Sequence, residues 1–193
     1  MTESIVSAGA GRQHAHEDKL ARAQRLLDLM RNGEMDEFTA MVHPRGINLE
    51  SKVEPLACRT PGPEGFHATA MLLRAAFTEL VWVANTVVED GEYLVVHATM
   101  SGRHTGTLHD YDAAGQITGT FPPTGRSFST TQTHWFRFRD GQVLEHWANR
   151  DDLQTALQLG WLPPKPGYIV RMLLAQRRAR RAQMRGREPG IEM

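Results

Sequence analysis

Two histidines, an arginine and an aspartate crowd one short stretch of the chain: His134, His146, Arg150 and Asp151. Imidazole titrates near neutrality and so can take up or return a proton, while a guanidinium can hold an enolate or carboxylate oxygen. The stretch consists of two segments of alternating character, Ser127 to Arg139 and Gln142 to Asn149, joined at Asp140-Gly141, a pair that accepts the positive φ angles of a tight hairpin turn. Alternate residues of a strand share a face, which groups Gln132, His134, Phe136 and Phe138 on the first and Leu144, His146, Ala148 and Arg150 on the second. A cavity facing both would collect His134, His146 and Arg150. The plainer alternative for His146 is a histidine hydrogen-bonded within a partly buried sheet. Asp151 could supply a carboxylate or orient either ring, although its place directly ahead of an amphipathic run favours a helix cap.

Other candidates lie further back. Met100 has the strand parity of a pocket wall, and His104 ends the same strand near the expected pocket mouth. His104, Arg103, His109, Asp110 and Asp112 could suggest a metal cluster, but they adjoin a Gly-rich stretch and no helical His-x₃-His pair supports ligation, so no metal is expected. Glu145 and Trp147 fall on the opposite face of their strand and should meet helices or a partner subunit. Met41, Met71 and the leucine stripes read as core.

The elements that must position these residues follow from periodicity. From Glu17, Leu20, Ala23, Leu26, Leu27 and Met30 recur at helical spacing, with Asn32-Gly33 as a left-handed stop. Asp36 can cap a short helix through Phe38, Met41 and Val42 that closes before His43-Pro44. The stretch from 45 to 60 is ambiguous. Pro63 opens a third helix marked by Phe66, Ala70, Leu73, Phe77 and Leu80. The period then drops to two, giving a first hairpin at Asp90-Gly91 that ends near Met100, and a second at Asp140-Gly141. Four antiparallel strands after three helices imply an α+β fold. The connection Thr105 to Arg126, rich in Gly and Pro, is long enough to be a lid. Asp151 or Asp152 starts a helix through Leu159 that stops at Gly160. From Tyr168 a helix with an arginine-rich end should dock by its apolar face and leave its charged end in solvent, a reading favoured over an anionic-surface or RNA contact because the rest of the chain offsets the charge.

The 193 residues, 40% hydrophobic, suffice for one well-buried core and hardly for two. We expect residues 1–16 to be a mobile leader, 17–162 the folded domain and 163–193 a basic helical extension. Lys plus Arg and Asp plus Glu both number 22, so overall charge makes no case for nucleic acid or a membrane surface as partner. Cys58 is the single cysteine, which excludes an intramolecular disulfide and fits a reducing cytoplasm. Neither a secretory leader nor a membrane-length apolar run is seen.

Five blocks in order, Ser101-Gly-Arg-His-Thr-Gly106, Pro122-Pro-Thr-Gly-Arg126, Gln132-Thr-His134, Asp140-Gly-Gln-Val-Leu-Glu-His-Trp147 and Asp151 through Gln158-Leu-Gly160, resemble the SnoaL-like polyketide cyclase (ester cyclase) family over about residues 20 to 162. The resemblance implies an NTF2-like α+β fold: a cone-shaped barrel in which a curved antiparallel sheet and N-terminal helices enclose a deep, largely apolar pocket. It also implies ring closure of an aromatic polyketide ester by intramolecular aldol chemistry, without metal or organic cofactor. Such chemistry needs a group that removes a proton from carbon flanked by carbonyls, donors that hold the enolate, and a dry cavity. Family cyclases use an aspartate directly after the Glu-His-Trp-like triplet, aided by a histidine that corresponds to His134. The aspartate position here is Ala148, which cannot transfer a proton.

The expected function is therefore proton-transfer catalysis on a hydrophobic, polyketide-like carbonyl compound by cyclisation, isomerisation or dehydration, with His134, His146 and Asp151 as catalytic candidates. Met100, His104, Gln132, Phe136, Ala148 and Arg150 are the expected substrate contacts. A non-catalytic binding or assembly protein is the second reading. An epoxide-opening hydrolase is the third, and Arg150 and Asp151 supply only pieces of its Asp-Arg-Asp site. A homodimer is expected, because sheets of this kind pair in NTF2-like proteins.

Overall fold

The computed structural model describes residues 19–186, so the expected leader, residues 1–16, lies outside the described residues. Helix α1 (19–32) and α2 (Met35–Met41) lead into β1 (Val42–Asn48), two short 3₁₀ turns (Ser51–Val53 and Leu56–Arg59) and α3 (Pro63–Ala76). Then come β2 (Phe77–Asp90), β3 (Tyr93–His104), β4 (Leu108–Tyr111), β5 (Ile117–Phe121), β6 (Ser127–Arg139), β7 (Gln142–Arg150), α4 (Asp152–Leu159) and α5 (Pro166–Met184).

The main sheet runs β1-β7-β6-β3-β2. Every pair is antiparallel except β1 with β7, which is parallel. One face of the sheet presents Trp82, Ala84, Leu94, Val96, Ala98, Met100 and Phe136 to Ala23, Leu26, Leu27 and Leu29 of α1, Phe38 of α2 and Phe66 and Ala70 of α3, forming one core. Edge strands β1 and β2 do not pair with each other, so helices rather than strand pairing close the cone. On the other face Trp135 and Trp147 stack at 5.6 Å, and Arg137 and Glu145 form an ion pair.

Several elements differ from the sequence reading for physical reasons. β1 emerges from the stretch taken as a helix end and an ambiguous loop. Pro44, which has no ladder N–H, is tolerated there because β1 is an edge strand. α2 is capped by Glu34, not Asp36, through a capping box in which Glu37 accepts the Glu34 N–H at 2.9 Å. α3 stops at Ala76. Phe77 and Leu80 keep a helix-like spacing because β2 bulges between Thr78 and Val81, with Glu79 at φ 57°, which turns both side chains into the core. Gly33 is not left-handed; a Cβ there would lie 2.8 Å from the Leu29 Cα. Gly160, at φ 74°, does stop α4 as expected.

The connection Thr105 to Arg126 is a structured hairpin, β4–β5, not an open loop. Helix α5 holds it with polar side chains: Gln176 donates to the Thr118 carbonyl at 2.6 Å, Arg180 to Ile117 at 2.9 Å and Gln183 to Gly115 at 2.6 Å. The apolar residues Ile169, Val170, Leu173 and Leu174 are exposed, so α5 docks through these polar groups and through Ala179, which packs with Tyr111 and Ile117, and not by the apolar face that was expected. Among the described residues no helix is long and apolar enough to cross a membrane.

Candidate functional site

Two pockets with part of their lining in common, an inner and an outer lobe, open off the core. The inner lobe, about 110 Å³, is lined by apolar residues of α1 and α2 and by His134, His146, Ala148, Asn48, Glu50 and Thr69. The outer lobe, about 450 Å³, lies among α3, the β4–β5 hairpin, α4 and Trp161. Glu54, Leu73, Met100, Gln132 and Arg150 line both lobes and form the waist between them. The outer lobe falls within the roughly 300–1,000 Å³ usual for small-molecule sites.

Strand parity positions the wall as expected. β6 pairs with β7 so that His134 faces Ala148, Phe136 faces His146 and Gln132 faces Arg150 across the ladder. His134 Nδ1 meets His146 Nε2 at 3.1 Å, and the two rings stack with centroids 5.4 Å apart. His134 Nε2 meets Gln132 Oε1 at 3.0 Å, and that oxygen also accepts the Trp82 indole N–H at 3.3 Å. Because the indole is only a donor, it fixes which end of the Gln132 amide faces His134, so Nε2 of His134 carries the proton. His146 Nδ1 lies 3.0 Å from Asn48 Oδ1, which accepts the Glu50 backbone N–H at 3.2 Å, and the single N–H of a neutral His146 serves either that oxygen or His134 Nδ1, not both. Burial and the Arg150 charge push His134 down to about 4, and burial, His134 and Arg150 hold His146 well below the usual imidazole range, so both rings are neutral at pH 7.

A second set of polar groups comes from the segment after β1. Glu50 spans Ala148 and Arg150: its Oε1 accepts the Ala148 N–H at 3.1 Å and its Oε2 lies 3.6 Å from the Arg150 guanidinium. Thr69 of α3 donates to Glu54 Oε2 at 2.7 Å and accepts from Asn48 Nδ2 at 3.5 Å. Burial pushes the Glu54 carboxyl up, and the Thr69 hydroxyl, the Arg150 charge and the Cys58 thiol offset only part of that. Asn48, Glu50, Glu54 and Thr69 were not anticipated. Three of them sit in the 45–60 stretch, which has no period to reveal which side chains point inward.

The structure brings His134, His146, Gln132, Phe136, Ala148, Met100 and Arg150 to one cavity. It does not bring Asp151 or His104. Asp151 is exposed and caps α4, its Oδ1 accepting the Gln154 N–H at 3.0 Å, because the chain turns away from the sheet there. His104 is fully buried between Phe77 and Trp161 and borders neither lobe, because these rings and the segment Thr124 to Arg126, hydrogen-bonded to it, cover the strand end where a mouth was expected. Among the described residues no three His, Cys, Asp or Glu side chains are grouped to hold a metal ion.

Comparison with known proteins gives the same picture. The family model described as SnoaL-like polyketide cyclase matches residues 21–159. The chain is 30% identical over 147 residues to the aklanonic acid methyl ester cyclase DnrD of Streptomyces peucetius, covering 74% of this chain and 91% of that protein. It is 27% identical over 139 residues to the nogalonic acid methyl ester cyclase of Streptomyces nogalater, covering 70% and 92%. The structure of TsrD from Streptomyces laurentii superposes with a TM-score of 0.59 at 26% identity, covering 77% of this chain and 97% of that one.

Proposed function

Since the chain belongs to the SnoaL-like polyketide cyclase family and has its NTF2-like fold, we propose that it closes a carbocyclic ring in an aromatic polyketide ester by intramolecular aldol addition, with no metal or organic cofactor. The observation that carries the reading is the polar waist, where Gln132 and Arg150 adjoin the His134–His146 pair between two apolar lobes. A chain folded across the waist would place its reacting carbons together in a water-poor space, which supplies much of the barrier reduction for ring closure. A proton leaves the carbon between two carbonyls, and the resulting enolate carbon bonds to a second carbonyl carbon. That carbonyl's oxygen then receives the proton, so the product is an isomer of the substrate. Arg150 and the neutral donors of the waist hold the oxygens on which negative charge develops.

Ala148 favours a second reading, a protein that binds such a molecule without transforming it, because the resemblance places the proton-transferring aspartate there. Incubation with an anthraquinone-type polyketide methyl ester, read by chromatography with mass spectrometry and absorbance, separates the two. Wild type should form a ring-closed isomer, and Arg150→Ala, which removes the cation that holds the developing charge, should lose about 100-fold or more in turnover, whereas Arg178→Ala on exposed α5 should not. Tight binding with no isomer would establish the second reading and refute the first.

A further inference from the structure

Resting on the cyclase reading, we propose that Glu54 is the carboxylate that exchanges the proton with the substrate, occupying the role left open by Ala148. The remaining cavity groups are already committed. Each nitrogen of His134 and His146 lies 3.0–3.1 Å from Gln132, Asn48 or the other ring, and although two neutral rings supply only two protons for these three contacts, the lone pair left over faces one of those buried atoms rather than substrate carbon. Both oxygens of Glu50 are taken, by the Ala148 N–H and by Arg150. The Cys58 thiol, pushed up to about 12, is no base at neutral pH. His109, Asp110 and Asp152 line only the outer lobe, away from the histidine pair.

Glu54 differs from Glu50 in that its donors, Thr69 and the Cys58 thiol, are neutral. It lines both lobes, so a substrate spanning the waist touches it. Thr69 holds its Oε2 at 2.7 Å and fixes its direction, and among the described residues no cation lies within ion-pairing distance to neutralise it. The donations run one way, from Asn48 to Thr69 and from Thr69 to Glu54, which links the carboxylate to the amide that faces His146. In the forward step the ionised carboxylate takes the proton from the carbon flanked by carbonyls and becomes the acid. After the carbon–carbon bond forms, it returns that proton to the new alkoxide, and the enzyme ends as it began. Burial raises this carboxyl toward neutrality, where a group that both takes and returns a proton works best.

The test compares wild type, Glu54→Gln and Glu54→Asp on the polyketide methyl ester, with circular dichroism and binding of the substrate as checks on folding. Glu54→Gln should lose about 100-fold or more in kcat with KM within about threefold, since it keeps size and the Thr69 contact but not the charge. Wild-type activity should fall as pH drops through the raised pKa of Glu54. The groups facing that carboxyl are Thr69, Cys58, Arg150 and Glu50, the last a second carboxyl, so the limb is assigned to Glu54 by its displacement in Glu54→Asp. Glu54→Asp should retain partial activity with that acidic limb displaced. Activity of Glu54→Gln within about tenfold of wild type overturns the inference alone. If Glu54→Gln fails to fold, an unmoved acidic limb in Glu54→Asp overturns it instead. An inactive wild type overturns the cyclase reading and this inference with it.

Discussion

His104 offers a direct measure of how dry the region beside the cavity is. Its side chain is fully buried, flanked by Phe77 at 5.3 Å and Trp161 at 5.2 Å between ring centroids, with the Thr124 N–H donated to Nδ1 at 3.3 Å. Burial lowers its pKa from 6.5 to about 4. The folded protein therefore binds this proton more weakly than the unfolded chain does. Its contribution is intact above pH 6.5 and is lost as pH falls from there toward 4. Integrated from pH 7.5 to 4.5, a shift of this size makes folding about 2.5 kcal/mol less favourable. His134, His146 and His109 are shifted in the same direction, so the wild-type loss alone does not isolate His104. His104→Gln does: its amide oxygen can still accept the Thr124 N–H, while the titration is gone. Loss of ring packing costs the variant about the same at both pH values. Urea unfolding of both proteins at the two pH values should show the variant losing about 2.5 kcal/mol less than wild type across the interval. Parallel losses, within about 0.5 kcal/mol, would refute the assignment of His104 as a neutral, desolvated packing residue.

Two substitutions separate positioning from support. Asp151→Ala removes the α4 cap and should lower stability by about 1 kcal/mol in urea unfolding while leaving turnover within about twofold; a large loss of kcat with stability intact would restore Asp151 to the chemistry. Gln132→Leu strands the buried donors of Trp82 and His134, at about 1–3 kcal/mol each, and should shift the urea midpoint strongly. A change below about 1 kcal/mol would show that Oε1 is not the acceptor both groups depend on.

The inward set on β6 and β7 was legible in the chain because strand alternation is a local property: once Asp140-Gly141 makes the hairpin, Gln132, His134, Phe136, His146, Ala148 and Arg150 must share a face. The helices α1 and α3 and the stop at Gly160 were legible for the same reason, as were the family blocks that imply the fold. Local pattern misled where a bulge gave β2 a helical spacing at Phe77 and Leu80, and where Pro44 hid an edge strand. It also misplaced His104 and Asp151, whose neighbours in sequence suggest a mouth and a catalytic carboxylate, but whose surroundings are a covered strand end and a helix start. The second half of the site was decided by tertiary structure alone. Asn48, Glu50 and Glu54 reach the cavity because β1 runs parallel to β7, pairing Asn48 with His146 roughly a hundred residues along the chain. The charge state of these groups likewise depends on what surrounds them. A carboxyl raised by burial and an imidazole lowered by it have no signature in the order of residues, because desolvation arises only when distant segments exclude water together.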